Sequence, residues 1–592
     1  MNTHFERTQD VYEHIDGYPL PPLIPLPDPD DFSDLESFGL RQTPFSRAVV
    51  RSAMTLSGYR AFRRQLPSTL ADYLRTTNQR TPGLYAPVIS ATLAMVDDER
   101  ELTPVQRAAT LLLGAHNLYQ DLMSAQLPPD EYRGQVLEMG QYPNFFGSSL
   151  WVEGKSVRLF KTAHKTQITV IVRNHYYLLE LGGEGWENVS LGQLAAVLEE
   201  IIADANSRGT TALSPGLLTA AANRTQFAGW RALRGHPENA ENLEAMRHSF
   251  LTLAFDLDDR PDSYADAALV GHSRNWGNRW HHASFQIVVF GNARACGICN
   301  FTAYLDGNTM VRGVAEIQKR AASIPVLPSQ PSSQSSSQSL PVFTKLDWRL
   351  TEEMLAPAQK DIAAVEDDQQ ATFVLEGFGK EFFAQAQVRA VPTFVTALAM
   401  ASQKAAGEVV RIEQFLALSK YCCMDLTTTN VTTPETLKFV DYMNEGEVDR
   451  EQARAYLDAA AESQSQVSRR AREHYPTIEI IGMFLRTRRG LARIYAAFIF
   501  ALAMGVLRLT GQLKPIRRQA VISHPAIYPE VPVVGRPGVR LPYAQYYGLH
   551  YQIMDDRTVV TMMPGDQWRV SNEEFISLLQ ESLERIKEVL QV

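Results

Sequence analysis

Apolar and polar positions change period several times along the chain, and the changes divide it into interleaved strands and helices. Residues 167–172 and 176–181 are β-branched and aromatic runs parted by Arg173, Asn174 and His175, the pattern of a strand pair. Ser190-Leu191-Gly192-Gln193 then opens a helix whose apolar positions Leu194, Val197, Leu198, Ile201 and Ile202 fall on one face. The run 285–290 reads as a buried strand leading into Ala295 to Gly307, which itself reads as strand, loop, strand. Toward the N-terminus, the proline-rich residues 20–27 predict an extended strap laid on a domain surface, and Leu66-Pro67-Ser68-Thr69 predicts the start of a helix. Residues 324–342, rich in Ser, Pro and Gln, predict a hinge between a domain at 1–323 and another at 343–592. Beyond it the pattern gives a polar helix at 351–364, a strand at 371–376, and long helices near 391–405, 450–472 and 490–510. A strand pair and a one-faced helix carrying Phe575, Leu579, Leu583 and Ile586 end the chain. The fold class is α/β with two domains, as 592 residues exceed one ordinary core.

Composition narrows the partners. A net charge of -9 and a pI near 5.9 disfavour any general attraction to nucleic acid or anionic membrane, leaving a small molecule or a protein. Four cysteines make no disulfide scaffold, which with the lack of an N-terminal signal pattern points to the cytoplasm. The apolar run 494–507 is shorter than the roughly 20 residues that span a bilayer and is led by Arg486, Arg488, Arg489 and Arg493, so it reads as a buried helix with no membrane insertion.

Several landmarks, in order, resemble the carnitine/choline acyltransferase family. They are the proline strap, the helix at 70–74, the strands around Arg173-Asn174, Phe255-Asp256-Leu257-Asp258-Asp259, Asn278-Arg279-Trp280, Gly377-Phe378-Gly379-Lys380 and Tyr546-Tyr547-Gly548-Leu549-His550-Tyr551. The resemblance implies two chloramphenicol-acetyltransferase-like domains with an active-site tunnel between them. It also implies a histidine general base four residues before an acidic residue and glycine, where this chain has Thr302 before Asp306-Gly307. A threonine hydroxyl takes up no proton at neutral pH.

The other positions implied by the resemblance are changed as well. The basic cluster for coenzyme A phosphates is reduced to Arg389, which favours a thioester on a carrier-protein pantetheine arm over free coenzyme A. On the acceptor side stand Asp425 and Asn430 where the family has cations, which disfavours carnitine. The serine-rich oxyanion segment falls at Ser523-His524. The expected proton-transfer groups are therefore Asp306 and His524, with Thr302, Ser523 and Tyr304 lining the tunnel. His281 and His282 read as strand residues of which one points inward. Cys296 and Cys299, with Cys422 and Cys423, could form a metal site only if the domains met there, and Cys299 could be a nucleophile; buried apolar thiols are the simpler reading of both, and no metal or obligatory cofactor is expected. The function expected is a non-standard acyl, thioester or condensation reaction in specialised metabolism. A catalytically inactive binding or scaffold protein is the alternative.

Overall fold

The computed structural model describes residues 14–77, 90–153, 156–162, 165–182, 185–326, 341–366, 371–424, 426–445, 448–514, 519–524, 546–565 and 567–590. Two mixed sheets organise it. The first contains β1 (Ser90–Met95), β2 (Gln167–Val172), β3 (His175–Glu180), β4 (Thr252–Asp256), β5 (Phe285–Phe290), β6 (Ala295–Asn300) and β7 (Val342–Leu346), in the order β1-β6-β5-β4-β2-β3-β7. The second contains β8 (Ala371–Glu376), β9 (Ile412–Ala417), β10 (Leu426–Asn430), β11 (Ala520–Ser523), β12 (Tyr547–Ile553) and β13 (Arg557–Pro564), in the order β8-β13-β12-β11-β9-β10.

In the first sheet β2, β5 and β6 are buried at every position. One apolar cluster, with Ile168, Val170, Leu253 and Val289, covers one face, and another, with Ile171, Ala254, Val288 and Ile298, covers the other. A strand enclosed on both sides gains hydrophobic stabilisation at every residue, which is why these segments read as continuous apolar runs. The hairpin β2–β3 turns at Arg173 and Asn174, both with positive φ (50° and 67°), as the tight two-residue turn of a twisted hairpin requires.

The landmark residues of this unit form one network. Arg279, fully buried, makes a two-pronged ion pair with Asp256 (2.6 and 3.0 Å), and the Asn278 side chain donates to the same carboxylate at 2.8 Å. The backbone N–H of Asn174 donates to Asn278 Oδ1 at 2.9 Å, while Arg173 pairs with Asp258. Three stretches far apart in sequence are thereby fixed at one end of β2 and β4.

The second sheet has unlike faces. Ile412, Ala520, Ile522, Leu549, Tyr551, Val560 and Met562 pack with the helices Ala390–Ala406 and Asn572–Leu590. Register and alternation put Glu413, Thr428, Asn430, Ser523, His550, Thr561 and Thr372 together on the opposite face.

Four expectations change. The first sheet runs past the expected boundary at 343: β7 pairs with β3, and the following helix Glu352–Glu366 packs on helices of the first unit. The helix expected to start at Leu66 begins at Tyr59 and runs through Pro67. The apolar helix Gly490–Leu509 is largely exposed rather than buried, with Leu491 84% and Leu509 91% accessible. His281 and His282 lie in a turn before β5, and both are buried, so alternation does not apply. The proline strap forms no helix or strand and bridges to later residues: Cys422 and Tyr475 donate backbone N–H bonds to the Pro22 and Pro25 carbonyls at 2.9 and 2.8 Å.

Candidate functional site

The stretch after β6 turns through Phe301–Ala303 and enters the helix Gly307–Ser323, so a helix stands where a second strand was expected. Asp306 is its N-cap, its Oδ1 accepting from the Thr309 N–H at 2.9 Å, and this capping sets the helix start. Gln141 holds the same residue from the other side, accepting the Asp306 N–H at 2.7 Å and the Thr309 hydroxyl at 3.2 Å, with its Nε2 3.4 Å from Oδ2. Tyr304, buried, has φ 60°, a sparsely populated backbone region for a tyrosine, and its carbonyl accepts from Asn144 at 3.2 Å. Thr302 lies in the turn, and its side chain is outside the described residues.

Gln141 belongs to a segment that touches the second unit. Three residues earlier, the Glu138 N–H donates to the Ser419 carbonyl at 2.6 Å, and Glu138 Oε2 accepts the Cys423 N–H at 3.2 Å. Residues 138–141 therefore tie the loop between β9 and β10 to the Asp306 cap.

On that opposite face of the second sheet, Ser523 and His550 are register partners on the parallel strands β11 and β12, with Ser523 Oγ 2.9 Å from His550 Nδ1. Burial, and next the neighbouring His524, lower the His550 pKa to about 3, so this imidazole is neutral at physiological pH. Its Nε2 is buried and has no hydrogen-bond partner among the described residues. His524 is half-buried, its ring 5.2 Å from that of Tyr551. Sequence reasoning missed His550. The available signal was the histidine within the landmark Tyr546-Tyr547-Gly548-Leu549-His550-Tyr551, and the Ser523 partner emerges only with strand register.

Along the same face, beyond β9 and β10, lies a cavity of about 370 Å³, a size suited to small ligands. Leu35, Phe500, Met504 and Leu507 supply apolar wall, and Glu413 and Asn430 supply polar groups. Asn430 thus reaches a cavity, while its amide also closes a local turn with Thr432. Asp425 is outside the described residues. Arg389, far from this face, pairs with Glu462 at 2.6 Å and donates to Ser465 at 2.8 Å on the protein surface.

The thiols do not converge. Cys296 and Cys299 lie on one strand but in the two different apolar clusters, and burial raises both, Cys296 to about 12, so neither is a ready nucleophile. Cys422 and Cys423 are buried and form no disulfide, with sulfurs 2.9 Å apart. Among the described residues no group of three His, Cys, Asp or Glu side chains could hold a metal ion.

The sequence model of the Choline/Carnitine O-acyltransferase family matches residues 73–581. The chain belongs to this family. Choline O-acetyltransferase of Drosophila melanogaster is 22% identical over 57% of the chain and 52% of its own length, and that of Sus scrofa is 24% identical over 56% and 52%. Carnitine O-palmitoyltransferase 2, mitochondrial, of Mus musculus is 26% identical over 37% of the chain and 32% of its own length. The matches to the two choline O-acetyltransferases span about half their length. Among solved structures, the first condensation domain of the calcium-dependent antibiotic synthetase aligns over 88% of the chain and 94% of its own, with TM-score 0.36 and 9% identity. A wax ester synthase/diacylglycerol acyltransferase from Marinobacter aquaeolei VT8 gives 88%, 98%, 0.34 and 8%. In this member of the choline/carnitine acyltransferase family, Asp306 caps a helix of the first unit and a serine–histidine pair stands on the second sheet.

Proposed function

We propose that this chain is an acyl-transferring enzyme in which His550 is the proton acceptor, and that it uses an acyl thioester presented on a pantetheine arm. The observation that carries the reading is the Ser523–His550 pair. When Ser523 Oγ accepts the Nδ1 proton, the imidazole is held in the tautomer whose Nε2 carries the lone pair, and this buried nitrogen, unpaired among the described residues, is the atom that a bound acceptor must reach. An acceptor hydroxyl then gives its proton to Nε2 as its oxygen attacks the thioester carbonyl. The tetrahedral intermediate breaks its C–S bond, and the leaving thiolate takes the proton back from Nε2. A base kept neutral by burial accepts a proton well only beside a developing negative charge, which couples proton transfer to acyl transfer.

Asp306 supports this site through position: capped against Thr309 and gripped by Gln141, it fixes the loop that carries Thr302 and Tyr304. His524 adjoins the base and tunes it. The apolar cavity suits an apolar acyl or acceptor chain, and Arg389, paired with Glu462, favours a carrier-protein arm over free coenzyme A.

The test uses acyl-pantetheine thioesters of graded chain length with alcohol acceptors, following thiol release and ester formation. His550→Gln should lower turnover about 10²–10⁴-fold, the range for loss of a general base, while His524→Ala has a smaller effect. Unchanged turnover in His550→Gln, with the fold intact by circular dichroism, rejects the assignment.

A further inference from the structure

The helix Gly490–Leu509 has two apolar sides. One presents Ala496, Phe500, Ala503 and Leu507 at spacings of four, three and four, toward the cavity and the packed core. The other presents Leu491, Ile494, Tyr495, Phe498, Leu502 and Leu509, all more than half exposed. By length and composition the helix could cross a membrane, yet only 11% of its apolar window is buried in the protein. Its inward side is already engaged by the fold, so only the outer side is open to a partner.

Charge identifies that partner. From residue 480 to 529 the sequence holds Arg486, Arg488, Arg489, Arg493, Arg508, Lys514, Arg517 and Arg518, and no Asp or Glu, in a chain of net charge -9. Arg489 caps the helix start and Arg493 lies on its first turn; both are exposed, and neither forms an ion pair with the described residues. A long apolar side flanked by arginines within an acidic protein matches the interfacial zone of an anionic bilayer, which accepts apolar side chains and attracts cations together.

We propose that Gly490–Leu509 is a membrane-docking helix that lies in the plane of an anionic lipid surface. Met504 and Arg508 line the cavity and are also exposed, so docking places a mouth of the cavity at the lipid surface.

The experiment is vesicle flotation of the whole chain with phosphatidylcholine alone and with phosphatidylcholine containing phosphatidylglycerol, at low and high ionic strength, with sedimentation analysis in parallel. The chain should float with the anionic vesicles, more weakly at high salt. Phe498→Asp with Leu502→Asp should abolish flotation without changing the thermal melt, since both side chains are exposed. Arg489→Glu with Arg493→Glu should weaken it about thirtyfold or more, from ~1 kcal/mol per cation near the surface. Flotation with neither vesicle, equal flotation with both, or self-association abolished by the aspartate pair in place of vesicle binding would each overturn the proposal. None of these readouts depends on His550 or on turnover.

Discussion

The two sheets differ in what their faces meet. The first is enclosed by an apolar cluster on each side and closed at one end by the Asp256–Arg279 ion pair. The second is apolar toward two helices and mixed on the other face, where Ser523, His550, Thr561 and Thr372 lie in neighbouring strands among Val521, Met563 and Val559. Within one family, then, the landmarks that make the sequence recognisable belong largely to the unit that holds the fold. The pair proposed to move a proton, Ser523 and His550, lies on the face turned away from those two helices.

Acidification should separate the two units most strongly. Burial lowers the pKa of His116 to about 4 and of His281, His282 and His550 to about 3. Below about pH 6.5 the unfolded chain binds protons that the native histidines refuse, so stability is intact above that value and falls as pH drops toward the native values. Each histidine contributes about 1.4 kcal/mol per pH unit in this window. Three of the four are in the first unit, as are six of the seven tryptophans. Tryptophan fluorescence in urea should therefore show a midpoint falling steeply between about pH 6.5 and 4. A flat midpoint would mean that these rings are hydrated in solution.

A smaller effect contrasts the sheets by substitution. Arg279→Met leaves the Asp256 carboxylate buried without its cation and should cost about 3–5 kcal/mol in denaturant unfolding. Thr561→Val with Thr372→Val removes both partners of a 3.0 Å hydroxyl pair on the mixed face and should cost at most about 1 kcal/mol. Equal losses would erase the distinction drawn between the two faces.

The smallest effect concerns Asp306. Replacement by alanine removes a helix cap and should cost about 1 kcal/mol, whereas serine, itself a good cap, should restore most of that and retain turnover. If Asp306→Ser is as stable as the parent but has lost turnover, the carboxylate takes part in proton transfer, and the division of roles between the sheets fails.

Segments such as 167–172, 285–290 and 572–590 were legible because enclosed strands and one-faced helices leave strong local periods, whereas β1, β4, β7, β9, β10 and β11 were not read as strands from the pattern. Other features depend on partners far away in sequence. The apolar content of 490–509 is the same whether its outer side meets protein or solvent, so exposure could not be read from it. Asp306 was legible as a retained carboxylate, but its use as a cap depends on Thr309 and on Gln141, 165 residues earlier. His550 was visible only as part of a landmark, and Ser523 becomes its partner only through the parallel pairing of β11 with β12.

The pairing of β7 with β3 has a topological consequence. A break anywhere in 327–340 would not sever the molecule into its two units, because the downstream piece owns an edge strand, Val342–Leu346, of the upstream sheet. Expressed as separate halves, the pieces should behave as a split protein, the second completing the first by donating that strand and the helix Glu352–Glu366 behind it.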